Sequence, residues 1–65
     1  MYTNLNLERV KSGLTWRNIA DKSGINYNTL TKKLYDDADF TVSQAKAIKQ
    51  AIGSNMTLEK LFAND

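Results

Sequence analysis

The feature of this 65-residue chain that most restricts its fold is a spacing that occurs four times. Each time, an apolar residue precedes a polar residue of the kind that caps helices, and a second apolar residue follows five positions after the first. The four sets are Leu14-Thr15 with Ile19, Ile25-Asn26 with Leu30, Phe40-Thr41 with Ala45, and Met56-Thr57 with Leu61. In this hydrophobic-staple spacing, the residue before the cap packs on the first turn of the helix. The pattern therefore predicts four helix starts.

Helix ends are indicated by glycine, since the chain contains no proline. Glycine alone takes the left-handed backbone conformation that closes many helices without steric cost, and the three glycines are Gly13, Gly24 and Gly53. A further helix before the first glycine is indicated by Leu5, Leu7 and Val10, with its start left open among Thr3, Asn4 and Asn6. We expect an all-α fold of five helices, over about 4–12, 16–23, 27–35, 42–52 and 58–63, and no strands.

The length and residue types exclude most enzyme classes. A chain of 65 residues forms one domain, here residues 1–65, without room for a deep catalytic cleft. It has no cysteine and no histidine, which removes disulfides, the usual zinc sites and the commonest general base. We therefore expect no enzyme activity, no metal and no cofactor. No apolar run approaches a membrane span or a signal peptide, so we expect a cytoplasmic protein without a membrane partner.

The positive charge is concentrated in the first half of the chain. Residues 1–35 hold six basic and two acidic groups, a net charge of +4, whereas residues 36–65 hold three basic and five acidic groups, a net charge of −2. The first half could therefore face a polyanion such as nucleic acid. By itself this bias is weak evidence, because short solvated helices often show one of this size.

Residues 16–35 have the pattern of a helix-turn-helix, with residues 26–34 as the recognition helix. Ile19 and Ala20 are expected beneath the second helix, and Gly24 lets the chain turn within about three residues. The apolar residues of the second helix point inward, and they are Ile25, Leu30 and Leu34. Its opposite face carries side chains able to bond base edges and phosphates, namely Tyr27, Asn28, Thr31 and Lys32.

The chain resembles the helix-turn-helix domains of phage repressors, Cro-like proteins and related bacterial regulators (XRE-type). The resemblance runs from about Leu5 to Phe62. Its motifs are L-T at 14–15, I-A-D-K-x-G-I at 19–25, T-L-x-x-K-L at 29–34, D-F-T-x-S at 39–43 and L-x-x-L-F at 58–62. It implies a lambda repressor-like five-helix bundle in which the third helix enters the major groove. A cytoplasmic, nucleoid-associated protein of a bacterium or a phage-infected host would follow.

The resemblance also implies which residues contact DNA. The candidate base or groove contacts are Asn26, Tyr27, Asn28, Thr31 and Lys32, and the candidate phosphate contacts are Trp16 and Arg17. Apart from the resemblance, the charge of Lys33 makes it a further candidate phosphate contact. Some have a structural alternative: Trp16 and Tyr27 could cover the core, Asn26 could serve as the helix cap, and Lys33 could be plain solvated charge. Arg9 and Lys11 are expected to be surface or structural charge. Trp16 stands where many members have glutamine, and the turn after the recognition helix, residues 36–39, is acidic.

The resulting hypothesis is a regulator that occupies a double-stranded DNA operator and blocks polymerase. Since one recognition helix reads few base pairs, we expect a homodimer on DNA, weak or absent in solution. Its interface would lie around Leu58, Leu61 and Phe62, unless the core uses these residues. The alternative is a protein-interaction module, such as an antirepressor or antitoxin-like partner, which the acidic turn favours. An enzyme is a distant third.

Overall fold

Five α-helices joined by short loops form the chain in this computed structural model, which describes residues 2–63. The helices are α1 (Thr3–Ser12), α2 (Trp16–Ser23), α3 (Tyr27–Tyr35), α4 (Val42–Ile52) and α5 (Leu58–Leu61). No strand occurs within that range, so the all-α prediction is confirmed. None of these helices has the length and apolar character needed to cross a membrane.

The four predicted helix starts are all confirmed. Each cap side chain accepts a hydrogen bond from the first turn that follows it, and the caps are Thr15, Asn26, Thr41 and Thr57. The first-turn apolar residue of each staple is buried, and these residues are Ile19, Leu30, Ala45 and Leu61. Their staple partners pack on the core from outside it, and these are Leu14, Ile25, Phe40 and Met56. Helix starts and inward faces thus come from one local pattern.

Helices α1, α2 and α4 end at glycine, as predicted. The glycine φ angles lie between 74° and 76°, and the residues are Gly13, Gly24 and Gly53. At Gly24 a Cβ would meet no atom within 4 Å, so the backbone angle rather than space favours glycine there. Helix α3 ends differently, because the chain passes through Asp36 and then Asp37 at a φ of 52°. Aspartate tolerates this conformation better than most residues.

The core is built from all five helices, each of which contributes one fully buried side chain. These side chains are Leu5, Ile19, Leu30, Ile48 and Leu61. Helix α2 packs against both α3 and α4, and its Ala20 is buried at 4% exposure. A small residue at this position lets neighbouring helices approach closely. The packing holds α2 and α3 in one fixed arrangement.

The two ends of the described chain differ from the prediction. Helix α1 begins at Thr3, and its N-cap residue Tyr2 makes no side-chain cap. Instead the Tyr2 ring is buried, with its centroid 5.4 Å from that of Phe40 and 6.1 Å from that of Phe62. Helix α5 ends at Leu61, two residues earlier than predicted, where Phe62 turns its ring into this aromatic cluster. Tertiary contacts therefore decide both ends.

The same packing buries one of the three residues that were predicted to form a dimer interface. Leu61 is fully buried in the core, and Phe62 packs against it from the aromatic cluster. Of the three residues only Leu58 remains outside the core cluster, and it is half-buried. The core alternative applies to Leu61, because a side chain without solvent exposure cannot contact a second copy, whereas Phe62 keeps part of its surface exposed.

Candidate nucleic-acid interface

Helix α3 presents a polar face on the side away from the core. Leu30 is fully buried, and the half-buried Ile25 and Leu34 pack beside it. The opposite face exposes Tyr27, Asn28 and Lys32, with Thr31 half-buried between them. The structure therefore brings together four of the predicted contact residues. An amide, a hydroxyl, a phenol and an ammonium group give this face hydrogen-bonding capacity of both kinds.

Asn26 acts as the helix cap. Its Oδ1 accepts hydrogen bonds from the backbone N–H groups of Asn28 at 2.9 Å and Thr29 at 3.3 Å. These bonds satisfy two donors that the first turn of any helix leaves free. The side-chain oxygen of Asn26 is thus occupied within the helix. Its amide NH2 group is the part that can donate to a partner.

Thr31 is bonded to its own helix. Its hydroxyl lies 3.0 Å from the carbonyl oxygen of Tyr27 and 3.3 Å from that of Asn28, and donates toward them. A hydroxyl has one proton to donate and two lone pairs that accept. Thr31 therefore offers a partner its acceptor lone pairs and its methyl group, while its donor is already used.

Arg17 lies against the first residue of α3. Its guanidinium carbon is 4.3 Å from the centroid of the Tyr27 ring, a cation–π distance. The Arg17 side chain is exposed, and none of the hydrogen bonds or ion pairs within residues 2–63 uses it. The sequence indicates both residues for the interface but not their contact with each other, because they lie on different helices across the Gly24 turn.

Trp16 has a structural role in this arrangement. The half-buried indole packs against the core cluster, and the guanidinium carbon of Arg9 lies 5.0 Å from its ring. Arg9 in turn donates from Nη1 to the carbonyl oxygen of Leu14 at 3.0 Å, and from Nη2 to Asn6 Oδ1 at 3.1 Å. Arg9 is therefore structural, as predicted. The indole N–H of Trp16 donates to no group within residues 2–63.

Lys33 is bonded within the chain, although the sequence suggests either a phosphate contact or a solvated charge. Its ammonium donates to Gln44 Oε1 at 2.8 Å and to the carbonyl oxygen of Asp39 at 3.2 Å. It also lies 5.6 Å from the centroid of the Phe40 ring. The group is neither a solvated charge nor part of the exposed face of α3. It links the end of α3 to the start of α4.

The acidic turn lies at the far end of α3 from Arg17. Helix α3 begins at Tyr27 and has nine residues before the turn, which corresponds to about 13 Å. The hydroxyl of Tyr2 donates to the carbonyl oxygen of Ala38 and so holds the turn in place. Burial raises the pKa of this hydroxyl, and the negative charges of Asp39 and Asp37 raise it further. At about 13 Å the carboxylates are largely screened from the start of α3 in physiological salt.

A groove of about 190 Å³ runs beside the exposed face of α3. Its walls are largely aromatic and come from α1, α2 and α3, and the lining residues are Tyr2, Asn6, Trp16, Tyr27, Thr31, Leu34 and Tyr35. Tyr35 is 86% exposed, the highest value among the large hydrophobic side chains. Sequence patterning did not reveal this groove, because its walls come from segments that are distant along the chain.

Comparison with known proteins identifies no relative of this chain. No family model, no curated protein and no solved structure matches it. Among the described residues, no group of three or more acidic side chains is placed to hold a metal ion.

Proposed function

We propose that this protein is a sequence-specific double-stranded DNA-binding regulator of the phage repressor or Cro-like type. In this proposal α2 and α3 are a helix-turn-helix, and α3 lies in the major groove of an operator. The observation that carries the proposal is the exposed face of α3, where Tyr27, Asn28 and Lys32 lie next to the unpaired guanidinium of Arg17. A helix about 10–12 Å across fits a major groove about 12 Å wide.

The roles of the individual residues follow from what each side chain has left to offer. Asn28 can donate to and accept from one adenine edge, and the Thr31 methyl can pack on a thymine methyl. Lys32 is exposed and can reach either a base or a phosphate. The Trp16 indole N–H and the Asn26 amide are donors for phosphate oxygens. Lys33 is left out of the interface, because its ammonium bonds Gln44 and Asp39.

The test is a binding titration of the whole chain on duplexes selected from a random pool and on a scrambled duplex, over a salt series. We expect a selected motif, and a log affinity that falls linearly with log salt, since phosphate contacts release counterions. The slope should be similar on both duplexes, with the selected one bound more tightly. Absence of binding at low salt would refute the proposal.

The second candidate is a protein-interaction module with the same fold. The aromatic groove beside α3 favours it, because tyrosine, tryptophan and arginine are enriched in protein interfaces, and Tyr35 at its rim is 86% exposed. The salt series separates the two candidates. A module that binds protein through this face would show no duplex preference and no counterion-release slope.

A further inference from the structure

Two arginines in this protein stack on aromatic rings, and only one of them keeps all of its hydrogen-bond donors for a ligand. The guanidinium of Arg9 lies over Trp16 and donates to Asn6 and Leu14. The guanidinium of Arg17 lies closer to its ring, at 4.3 Å from the centroid of Tyr27, and donates to no group within residues 2–63. Arg17 therefore keeps the full fork of N–H donors that arginine uses for planar, bidentate contacts.

The stack places that fork at the beginning of α3. Tyr27 is the first residue of α3, and Asn28 and Thr31 follow it on the same exposed face. An arginine held against a ring samples fewer conformations than a free side chain, so less freedom is lost when it binds. The planar fork also fits a phosphate, but only at the edge of a base would its fixed position read the sequence. A fixed, planar fork suits the edge of a base.

We propose that Arg17 reads a guanine in the major groove, and that Tyr27 is the positioning residue that holds its guanidinium there. Guanine presents two acceptors on that edge, O6 and N7, which match a bidentate arginine, and this is the commonest specific contact between proteins and DNA. The inference rests on the proposed DNA-binding function and adds a base identity to it. It differs from the phosphate role that the sequence indicates for Arg17.

The experiment is selection of bound duplexes from a random pool with the wild-type chain and four variants. Arg17→Lys keeps the charge and removes the fork. Tyr27→Leu removes the ring, and Tyr27→Phe keeps it. Lys22→Ala removes a positive charge from the last turn of α2, outside the exposed face of α3. Circular dichroism of each variant establishes that it is folded before the selection.

We expect the wild-type motif to contain a guanine. In Arg17→Lys the preference for guanine over other bases at that position should fall by about 5- to 150-fold, while the preferences at the other positions are kept. Tyr27→Leu should weaken preference at that same position, and Tyr27→Phe should restore it. Lys22→Ala should leave the motif unchanged. Replacing the guanine by 7-deazaguanine, which lacks the N7 acceptor, should weaken wild-type binding and leave Arg17→Lys binding nearly unaffected.

The outcomes separate this inference from the proposed function. A wild-type selection that yields no motif overturns both. A motif whose guanine survives in Arg17→Lys overturns only the guanine assignment, and so does a uniform loss of affinity on all duplexes, which identifies Arg17 as a phosphate contact. Equal guanine preference in Tyr27→Leu and wild type overturns the positioning role of Tyr27.

Discussion

The hydrogen bonds that each residue already makes decide what it can do for a partner. Asn26, Thr31 and Lys33 belong to the region indicated for DNA contact, and each has at least one polar group bonded within the chain. Asn28 differs, because its side-chain amide is exposed and bonds no group within residues 2–63. Together with Arg17, it is the strongest candidate for direct contact with a base.

Substitutions at Asn28 and Thr31 test direct base contact. Asn28→Ala should lower affinity for the selected duplex by about 1–3 kcal/mol and leave affinity for a scrambled duplex unchanged. Thr31→Val keeps the methyl group, so it should retain more specific affinity than Thr31→Ala. Fluorescence anisotropy with both duplexes measures these differences. Equal losses on both duplexes would show that these residues contact only phosphate.

The carboxylate of Glu8 links α1 to the loop between α4 and α5. It accepts a hydrogen bond from the Ser54 hydroxyl at 2.6 Å and another from the Lys11 ammonium at 3.3 Å. The hydrogen bond from Ser54, and then that from Lys11, lowers the pKa of Glu8. The lowered pKa means that the folded state favours the charged form of Glu8. This contribution to stability is therefore fully present above the ordinary pKa of glutamate and is lost as the pH falls through the lowered pKa of the folded state.

We therefore expect Glu8→Gln to lower the melting temperature at pH 7 and to match the wild type near pH 2, where both side chains are uncharged. Asp21→Asn is the control, since Asp21 is exposed and bonds no other side chain within residues 2–63. Thermal unfolding followed by circular dichroism between pH 2 and pH 7 measures the difference. A destabilisation of Glu8→Gln that is equal at both pH values would contradict this account.

Capping explains why four of the five helices begin where they do. Helices α2 and α4 have full capping boxes, in which Thr15 pairs with Asn18 and Thr41 pairs with Gln44. The second box is apparent from the sequence, because glutamine is usual at its last position. Asparagine is not usual at that position, so the sequence does not reveal the box formed by Thr15 and Asn18. Helix α1 has no side-chain cap and depends on tertiary contacts.

Substitutions at the cap of α3 separate helix stability from DNA binding. Asn26→Ala should lower the free energy of unfolding by about 1 kcal/mol, because two backbone donors lose their acceptor. Asn26→Asp should keep that stability, since aspartate caps equally well, but its negative charge should weaken binding to every duplex. Urea denaturation and anisotropy measure the two effects. Undiminished DNA binding by Asn26→Asp would place the cap away from phosphates.

Contacts between segments that are far apart in the sequence hold the helices together. The Tyr2, Phe40 and Phe62 rings pack together at centroid distances of 5.4 to 6.1 Å. Tyr2 also holds the loop before α4 through Ala38, and Asn4 Nδ2 donates to the carbonyl oxygen of Lys60 at 2.9 Å. These contacts join α1, the acidic turn and α5. They place the start of α1 beside the groove that borders α3.

Under the proposed function, the size of the molecule bears on how many copies would bind an operator. Helix α3 has nine residues and is about 13 Å long, which spans about four base pairs. We expect two copies on a two-fold site, with half-sites about 34 Å apart. The Cα atoms extend over 23 Å at most, so neighbouring copies would meet only through side chains. Dimerisation in solution should therefore be weak.

Light scattering of the protein alone and with a selected duplex measures this stoichiometry. We expect a monomer in solution and two copies on the full site. A duplex that carries one half-site is the matched control, and it should bind one copy more weakly. One bound copy on the full site would contradict the prediction.

Local interactions are what the sequence by itself determined. A staple, a cap or a closing glycine acts within about five residues, so the starts of four helices, the ends of three and the inward side chains follow from the sequence alone. Only the tertiary structure decided the burial of Tyr2, the packing of Phe62 against it, the bonding of Lys33 and the stacking of Arg17 on Tyr27. These contacts join separate helices, and the Tyr2 bond to Ala38 connects residues 36 positions apart. Which side chains meet at such distances depends on how the helices pack together, and no local pattern encodes that.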